Sequence, residues 1–332
     1  MPDASIVIIT RNRKAMAGRC VESALAQEGD LEIIVIDDGS SDGSYEYLRE
    51  RFPQVQIHRY ENHRGCIGRR NDGAQYVTAP IIISIDDDAV FSATNIVRDA
   101  LKLFEQHPRV GAVAIPHVNC EFDGTQVEFY PIAPDTTNVW VAPFFIGTAY
   151  AVRRDLFLDM ASFDDFLFYG YEELGTCQRL LNAGYFVQLG GMDRIHHFPW
   201  AKGKYNLKIN SYSVRNRILH VVLAAPLSYV LPLLAVQSAR TLYGALRGPD
   251  RKAMALGLVR GYWAILRYGL WRRRPITRAV FKLHNEIRRR KMVLLSEIES
   301  RLPPLVKPVA RVPKVTPAYA GSIPRPTAID GG

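Results

Sequence analysis

Short apolar runs alternate with segments of helical period over the first two hundred residues. Ser5-Ile6-Val7-Ile8-Ile9-Thr10, Leu31-Glu32-Ile33-Ile34-Val35-Ile36, Val55-Gln56-Ile57-His58-Arg59-Tyr60 and Ile81-Ile82-Ile83-Ser84-Ile85 are rich in β-branched side chains and end in polar turns, which predicts strands. After the first of them, Ala17, Cys20, Val21, Ala24 and Leu25 recur at helical spacing. Near-continuous apolar runs are the mark of strands buried on both faces, as in a parallel sheet covered by helices. Further along, residues 96–106 predict an amphipathic helix, 110–115 a strand, 120–139 a polar excursion, and 144–154 and 185–189 two more strands. This alternation argues an α/β fold built on a mostly parallel, doubly wound sheet.

The strand over residues 81–85 runs straight into Asp86-Asp87-Asp88. Open α/β sheets place their ligands at the carboxyl ends of strands. Three adjacent carboxylates repel one another and raise each other's pKa unless a counter-ion relieves them. A divalent cation does so, and all-oxygen ligands suit Mg²⁺ or Mn²⁺. Alternation along the strand end puts Asp86 and Asp88 on one side and Asp87 on the other. A solvated acidic turn explains these three residues equally well. The dinucleotide pattern GxGxxG and the Walker pattern GxxxxGK[ST] are both absent from the chain.

Charge changes the picture. The net charge of +9 hides a split: residues 1–200 hold 17 basic and 28 acidic side chains, residues 201–332 hold 25 and 5. A basic half of this kind meets a polyanion, either a membrane surface or nucleic acid. Cys20, Cys66, Cys120 and Cys177 are scattered with no CxxC pair, which reads as reduced thiols of a cytosolic protein. Met1 to Ala4 lead directly into the first strand, so no signal peptide is expected.

Four motifs in order resemble the family 2 glycosyltransferases of the GT-A fold. They are Ile8-Ile9-Thr10-Arg11-Asn12-Arg13, Val35-Ile36-Asp37-Asp38-Gly39-Ser40-Ser41-Asp42-Gly43-Ser44, Gly68-Arg69-Arg70-Asn71-Asp72-Gly73 and Asp86-Asp87-Asp88. The resemblance implies an inverting, metal-dependent enzyme using a nucleotide-diphospho-sugar. It implies that Asp38 accepts a hydrogen bond from the donor's base and that Arg70 and Asn71 approach the nucleotide. Asp86 would touch ribose or sugar and join Asp88 at the metal, with Thr10, Arg11, Asn12 and Asp87 completing the donor-binding set. Arg11 stands where the family usually has an aromatic residue; a guanidinium can also stack on a base.

Farther on, Phe144-Phe145-Ile146-Gly147-Thr148-Ala149 resembles the family's strand whose glycine lies beside the acceptor, and Gly170-Tyr171-Glu172-Glu173-Leu174 its acidic pair ahead of a helix. The family usually has Glu-Asp where this chain has Glu172-Glu173. Glu173 stands at the position of the general base, which an inverting transfer needs to deprotonate the acceptor hydroxyl. His196 is the preferred metal-completing histidine and His197 the reserve. Ser211-Tyr212-Ser213-Val214-Arg215-Asn216-Arg217 resembles a downstream Arg-Asn element that holds diphosphate or caps the next helix.

Residues 218–236 hold no Asp, Glu, Lys or Arg, yet contain Pro226 and Pro232. A kinked helix lying on the cytoplasmic leaflet is favoured over a full span and over a core helix. Leu256, Val259, Tyr262, Trp263, Leu266, Leu270 and Trp271, interleaved with Arg260, Arg267 and Arg272 to Arg274, suit an anionic lipid surface. Residues 287–302 are expected to extend as a charged helix. A proline-rich tail follows. The expected organisation is a catalytic domain over 1–215, a basic helical membrane-associating region over 216–302 and a disordered tail over 303–332. The acceptor expected is a lipid-linked or cell-surface glycan, and the location the inner face of the cell membrane. A homo-oligomer stays open. A sugar-phosphate nucleotidylyltransferase would need a glycine-rich basic loop after the first strand. A nucleic-acid binder would carry its aromatics on a strand motif, whereas here they fall on apolar helix faces. A membrane-binding protein whose GT-A-like domain has lost catalysis is the remaining alternative.

Overall fold

The computed structural model describes residues 1–199, 207–248, 250–269 and 271–306. The chain runs β1 (Ala4–Thr10), α1 (Lys14–Leu25), β2 (Leu31–Asp37), α2 (Ser44–Arg51), β3 (Gln56–Arg59), α3 (Cys66–Ala74), β4 (Ile81–Asp86), β5 (Ala89–Val90), α4 (Ile96–Gln106) and β6 (Val110–Ala114). It continues through β7 (His117–Cys120), β8 (Gln126–Phe129), β9 (Trp140–Ala142), β10 (Ala149–Arg153), the single turn α5 (Arg154–Leu156), α6 (Glu172–Asn182), β11 (Phe186–Leu189) and β12 (Ile195–His197). The last part is α7 (Leu207–Ala224), α8 (Leu227–Arg247), α9 (Arg251–Ala264), α10 (Arg278–Arg290), β13 (Val293–Leu294) and α11 (Leu295–Ile298).

Nine strands form the central sheet in the order β13-β9-β11-β6-β10-β4-β1-β2-β3. The half from β4 to β3 is wholly parallel, and antiparallel β10 joins it to the rest. Side-chain alternation feeds two cores, one on each face. Ile6 and Ile8 join α1, α4 and α10 on one side, while Val7 joins α3, α6 and α7 on the other. In register, Thr10 lies opposite Asp37 and Ile9 opposite Asp86, so the carboxyl ends of β1, β2 and β4 form one ledge. A second sheet, β5-β12-β7-β8, stands beside that ledge. The expected polar excursion over 120–139 therefore contains a strand, β8, paired with β7.

The C-terminal third differs from expectation in two places. Residues 218–236 are not one kinked surface helix. Ile218, Leu219, Val222 and Leu223 are buried in α7, the chain breaks at Pro226, and α8 then runs with Leu227 and Leu231 exposed. The stretch thus divides between core and surface, because proline ends the helix whose apolar side the core has covered. Residues 287–302 are not one helix either. Lys291 turns the backbone at φ 69°, and β13 then pairs with β9, Val293 opposite Val141, completing the sheet edge. Among the described residues, no helix is long and apolar enough to cross a membrane. All four cysteines are free. The proline-rich tail beyond residue 306, like Leu270, lies outside the described residues.

Two glycines one helical turn apart let α9 lie against α7. A Cβ on Gly257 would meet Val214 at 2.5 Å, and one on Gly261 would meet Ile218 at 3.1 Å. Gly257→Leu is therefore expected to push the helices apart and to destabilise the protein by about 1–3 kcal/mol, the usual range for overpacking. Urea unfolding checks this; an unchanged midpoint would refute the close contact.

Candidate functional site

The acidic ledge is organised by cations. Thr10 donates from Oγ1 to Asp87 at 2.8 Å. Arg13 donates from one nitrogen to both Asp87 and Asp88, each at 2.7 Å. Burial, with the nearby Asp88, pushes the Asp87 carboxyl up to about 6 despite Arg13 and Thr10. Burial also pushes Asp88 up, but His197 and Arg13 outweigh it and hold its carboxyl below the usual range. Asp86 is pushed up by burial and by Asp88, against the pull of Arg70.

Asp86, Asp88 and His197 each bring one ligand atom to within 4.8 Å of the others. Strand β12 decides which histidine takes part. Its side chains alternate, so His197 faces Asp88 at 3.3 Å while His196 faces Gln126 at 3.4 Å on the other side. The expected ligand His196 is thereby replaced by its neighbour. Asn119 lies 2.7 Å from His197 Nδ1, and it donates from Nδ2 to Glu128, which leaves its carbonyl oxygen to accept from the ring. Nε2 then faces the Asp88 oxygen, and two carboxylates with one imidazole nitrogen gathered this closely form a donor set that fits a divalent ion.

A second cluster adjoins the first through Arg70. This guanidinium is buried. It donates to Asp86 at 2.6 Å and to the Gly147 carbonyl at 2.9 Å, and lies 3.5 Å from Glu172. Glu173, partly exposed, accepts from the Gly147 amide at 3.1 Å. A Cβ on Gly147 would sit 3.0 Å from both the Arg70 guanidinium and the Glu173 carboxylate, so glycine gives the three groups room to meet. Burial and the neighbouring Glu173 push the Glu172 carboxyl up to about 8, against the pull of Arg70, and one of its oxygens has no hydrogen-bond partner. Burial raises Glu173 as well, offset by backbone amides and Arg70. Two adjacent carboxyls in different surroundings can divide roles, one neutral and one basic.

Three other expected donor-binding residues make hydrogen bonds within the fold. Asp38 accepts from the Arg64 and Gly65 amides, from Arg69 Nε and from His63, at 2.6–2.8 Å, which fills the acceptor positions of a carboxylate. Asn71 exchanges two hydrogen bonds with the Phe163 backbone. Asn12 accepts from the Ser41 amide and ties the first turn to the second. Arg11 is exposed at the mouth of the ledge. Residues to which the sequence motifs assign no role include Arg13, the counter-ion of the ledge, and Asn119, which sets the histidine tautomer.

The segment that presents the acidic pair is strained. Phe168 and Tyr171 adopt φ of 65° and 74°, conformations costing roughly 1–3 kcal/mol each for such residues. Asn216 on α7 donates to the carbonyls of Leu167, Tyr169 and Gly170 within 3.0 Å, and Arg215 to those of Phe166 and Leu167. The Arg-Asn element thus clamps this loop rather than a diphosphate.

The family model "Glycosyl transferase family 2" matches residues 5–160, which hold the whole ledge and Gly147. Residues 5–160 thus form a family 2 glycosyltransferase domain of the GT-A fold. The succinoglycan biosynthesis protein ExoU of Rhizobium meliloti is 34% identical over 27% of this chain and 27% of its own. The GalNAc(5)-diNAcBac-PP-undecaprenol β-1,3-glucosyltransferase of Campylobacter jejuni is 30% identical over 26% and 30%. Matches to the curated relatives span between about a quarter and about half of their length. Among solved structures, a mannosyltransferase of Pyrobaculum calidifontis in complex with GDP-Man and Mn²⁺ shares the fold, with a TM-score of 0.53 and 19% identity over 80% of this chain and 87% of its own.

Two outcomes follow from this geometry. His197→Ala should weaken Mn²⁺ binding by about tenfold or more, while His196→Ala leaves it near the unmutated value; calorimetry with Mn²⁺ alone compares them, and the reverse order would move the site to His196. The raised Glu172 carboxyl keeps its proton when folded after the unfolded chain has lost it. Stability from this group is therefore full below 4.5 and is lost as pH rises through about 8. Glu172→Gln should remove that decline, seen as a smaller fall in urea midpoint between pH 5 and 9 than in the unmutated protein.

Proposed function

We propose that this glycosyltransferase moves a sugar from a nucleotide-diphospho-sugar to an acceptor hydroxyl with inversion, using Glu173 as the base. The observation that carries the reading is the buried Arg70. It links the Asp86–Asp88–His197 group to the glycine against which Glu173 rests. Glu173 takes the proton of the acceptor hydroxyl, the oxygen attacks the anomeric carbon, and the bond from that carbon to the diphosphate oxygen breaks. Mg²⁺ or Mn²⁺ held by Asp86, Asp88 and His197 would offset the charge of the leaving diphosphate. Arg11, exposed beside the ledge, is placed to stack on the base, and Arg13 holds Asp87 and Asp88 in position. Glu172, neutral at ordinary pH, can donate a hydrogen bond to the acceptor.

The printed names of the two relatives, one for succinoglycan biosynthesis and one for a lipid-diphosphate-linked substrate, support a glycan or lipid-linked acceptor. The helical region supports work at an anionic membrane surface, on the inner face of the cell membrane. Leu231, Leu266 and Trp271 are 78%, 78% and 84% exposed, among arginines with few acids nearby.

Screening nucleotide sugars for Mn²⁺-dependent turnover tests the reading. Glu173→Gln should lower single-turnover transfer by about 10² to 10⁴ with donor affinity nearly intact, the usual worth of a general base. Lost donor binding with unimpaired chemistry would exclude Glu173. On the membrane side, Leu266→Ala/Trp271→Ala and raised salt should each reduce pelleting with anionic liposomes; pelleting that resists both would exclude this surface.

A further inference from the structure

A cavity of about 280 Å³ is lined by Pro143, Phe144 and Ile146, just ahead of Gly147. Its walls are Ile115, Ala142, Phe144, Ile146 and Leu189, and its remaining lining includes Arg288 and Lys291. This size approaches that of small-ligand pockets, which are mostly apolar with a few polar groups to fix orientation. It adjoins the chemistry directly. Ile146 precedes the Gly147 whose amide holds Glu173, so a molecule in the cavity reaches the base within one residue's length.

The two cations are well placed and unpaired. On α10, His284 donates to the Pro143 carbonyl at 3.0 Å, and Arg288 follows one turn later over the same wall. Lys291 is turned toward the cavity by its left-handed backbone, φ 69°. Nearby Arg290 and Arg301 are paired with Glu297 and Glu286. Neither Arg288 nor Lys291 has an acidic partner among the described residues. Apolar walls beside two free cations complement a molecule that joins a hydrocarbon to an anion.

The path to the cavity agrees. Phe281, seven residues ahead of Arg288, packs at a tilt against Tyr229 of α8, the ring centroids 4.9 Å apart. Seven helical residues span roughly 10 Å. Leu227 and Leu231, exposed beside Tyr229, begin the apolar helical surface. A membrane-borne amphiphile held by that surface has a short way to travel.

We infer that this cavity is the acceptor subsite and that it takes the lipid-phosphate end of an acceptor whose hydroxyl reaches Glu173, its anion on Arg288 and Lys291 and the first part of its chain between Phe144, Ile146 and Leu189. The inference rests on the transferase reading for its role, though not for its binding chemistry.

Titration calorimetry with farnesyl phosphate, farnesol and inorganic phosphate, each below its aggregation limit, tests it. Farnesyl phosphate should bind at least about tenfold more tightly than either half alone. Arg288→Ala/Lys291→Ala should weaken it by about tenfold or more, as for two lost charge-assisted contacts. Ala142→Leu should weaken it by filling the cavity. Tyr243→Ala/Leu246→Ala, exposed on α8, should leave it unchanged. Equal binding of inorganic phosphate would make this a free-phosphate site and overturn the lipid assignment. Loss in the surface variant but not in Arg288→Ala/Lys291→Ala would put the probe on the helices and overturn the cavity. Nucleotide-sugar hydrolysis by the unmutated protein separates the two readings. Hydrolysis without farnesyl phosphate binding removes the subsite alone, and binding without hydrolysis for any donor removes the transferase reading alone.

Discussion

The arrangement depends on one buried cation. An unpaired guanidinium in the interior is costly, and Arg70 persists because Asp86, the Gly147 carbonyl and Glu172 all face it. Breaking such a pair by removing one partner typically costs about 3–5 kcal/mol, since the other charge is left uncompensated. Arg70 is therefore a joint. It fastens the end of β4 and the approach to β10, beside the bond from the Asp86 amide to the Thr148 carbonyl, to the start of α6. The missing Cβ of Gly147 gives the joint room to close. The elevated carboxyls of Asp86 and Glu172 are the electrostatic consequence of packing several acids around a single cation away from water.

The C-terminal helices belong to the same construction. Asn216 and Arg215 on α7 hold the strained turn that aims Glu172 and Glu173. Gln178 of α6 lies 3.0 Å from His220 of α7 and 3.4 Å from His284 of α10, so a buried polar chain links the three helices behind the site. Burial lowers His220 to about 3 and His284 to about 4, so both rings stay neutral and the chain is one of hydrogen bonds rather than charges. The exposed apolar residues of α8 and α9 are thus carried on helices that pack against α7, the helix that clamps the turn ahead of the acidic pair. A surface contact and a site contact share one rigid support.

Much of this is legible in the residue pattern. The apolar runs ending in polar turns imply the parallel half of the sheet, because a strand buried on both faces has no position for a polar side chain until it emerges. Asp86 and Asp88 bring carboxylate oxygens close together and Glu172-Glu173 start a helix. The pattern stops being informative where a choice turns on long-range neighbours. His196 and His197 are equivalent by type; the pairing of β12 with β5 and β7 alone turns the second one toward Asp88. Asp38 looks available in the sequence because nothing local shows that the loop at residues 63–65 and Arg69 will fill its acceptor positions.

The chain by itself determined its secondary elements, the line of carboxylates at the strand ends and the split between an acidic half and a basic one, since these depend on side-chain type and spacing. The tertiary structure alone decided which polar atoms stay free. A hydrogen-bonding group is used up by whichever partner the fold brings near, and Asn71 with Phe163, separated by 92 residues, is such a partner. It also decided that the first half of residues 218–236 is core and the second half surface, because apolar composition says that a segment avoids water but not what will cover it.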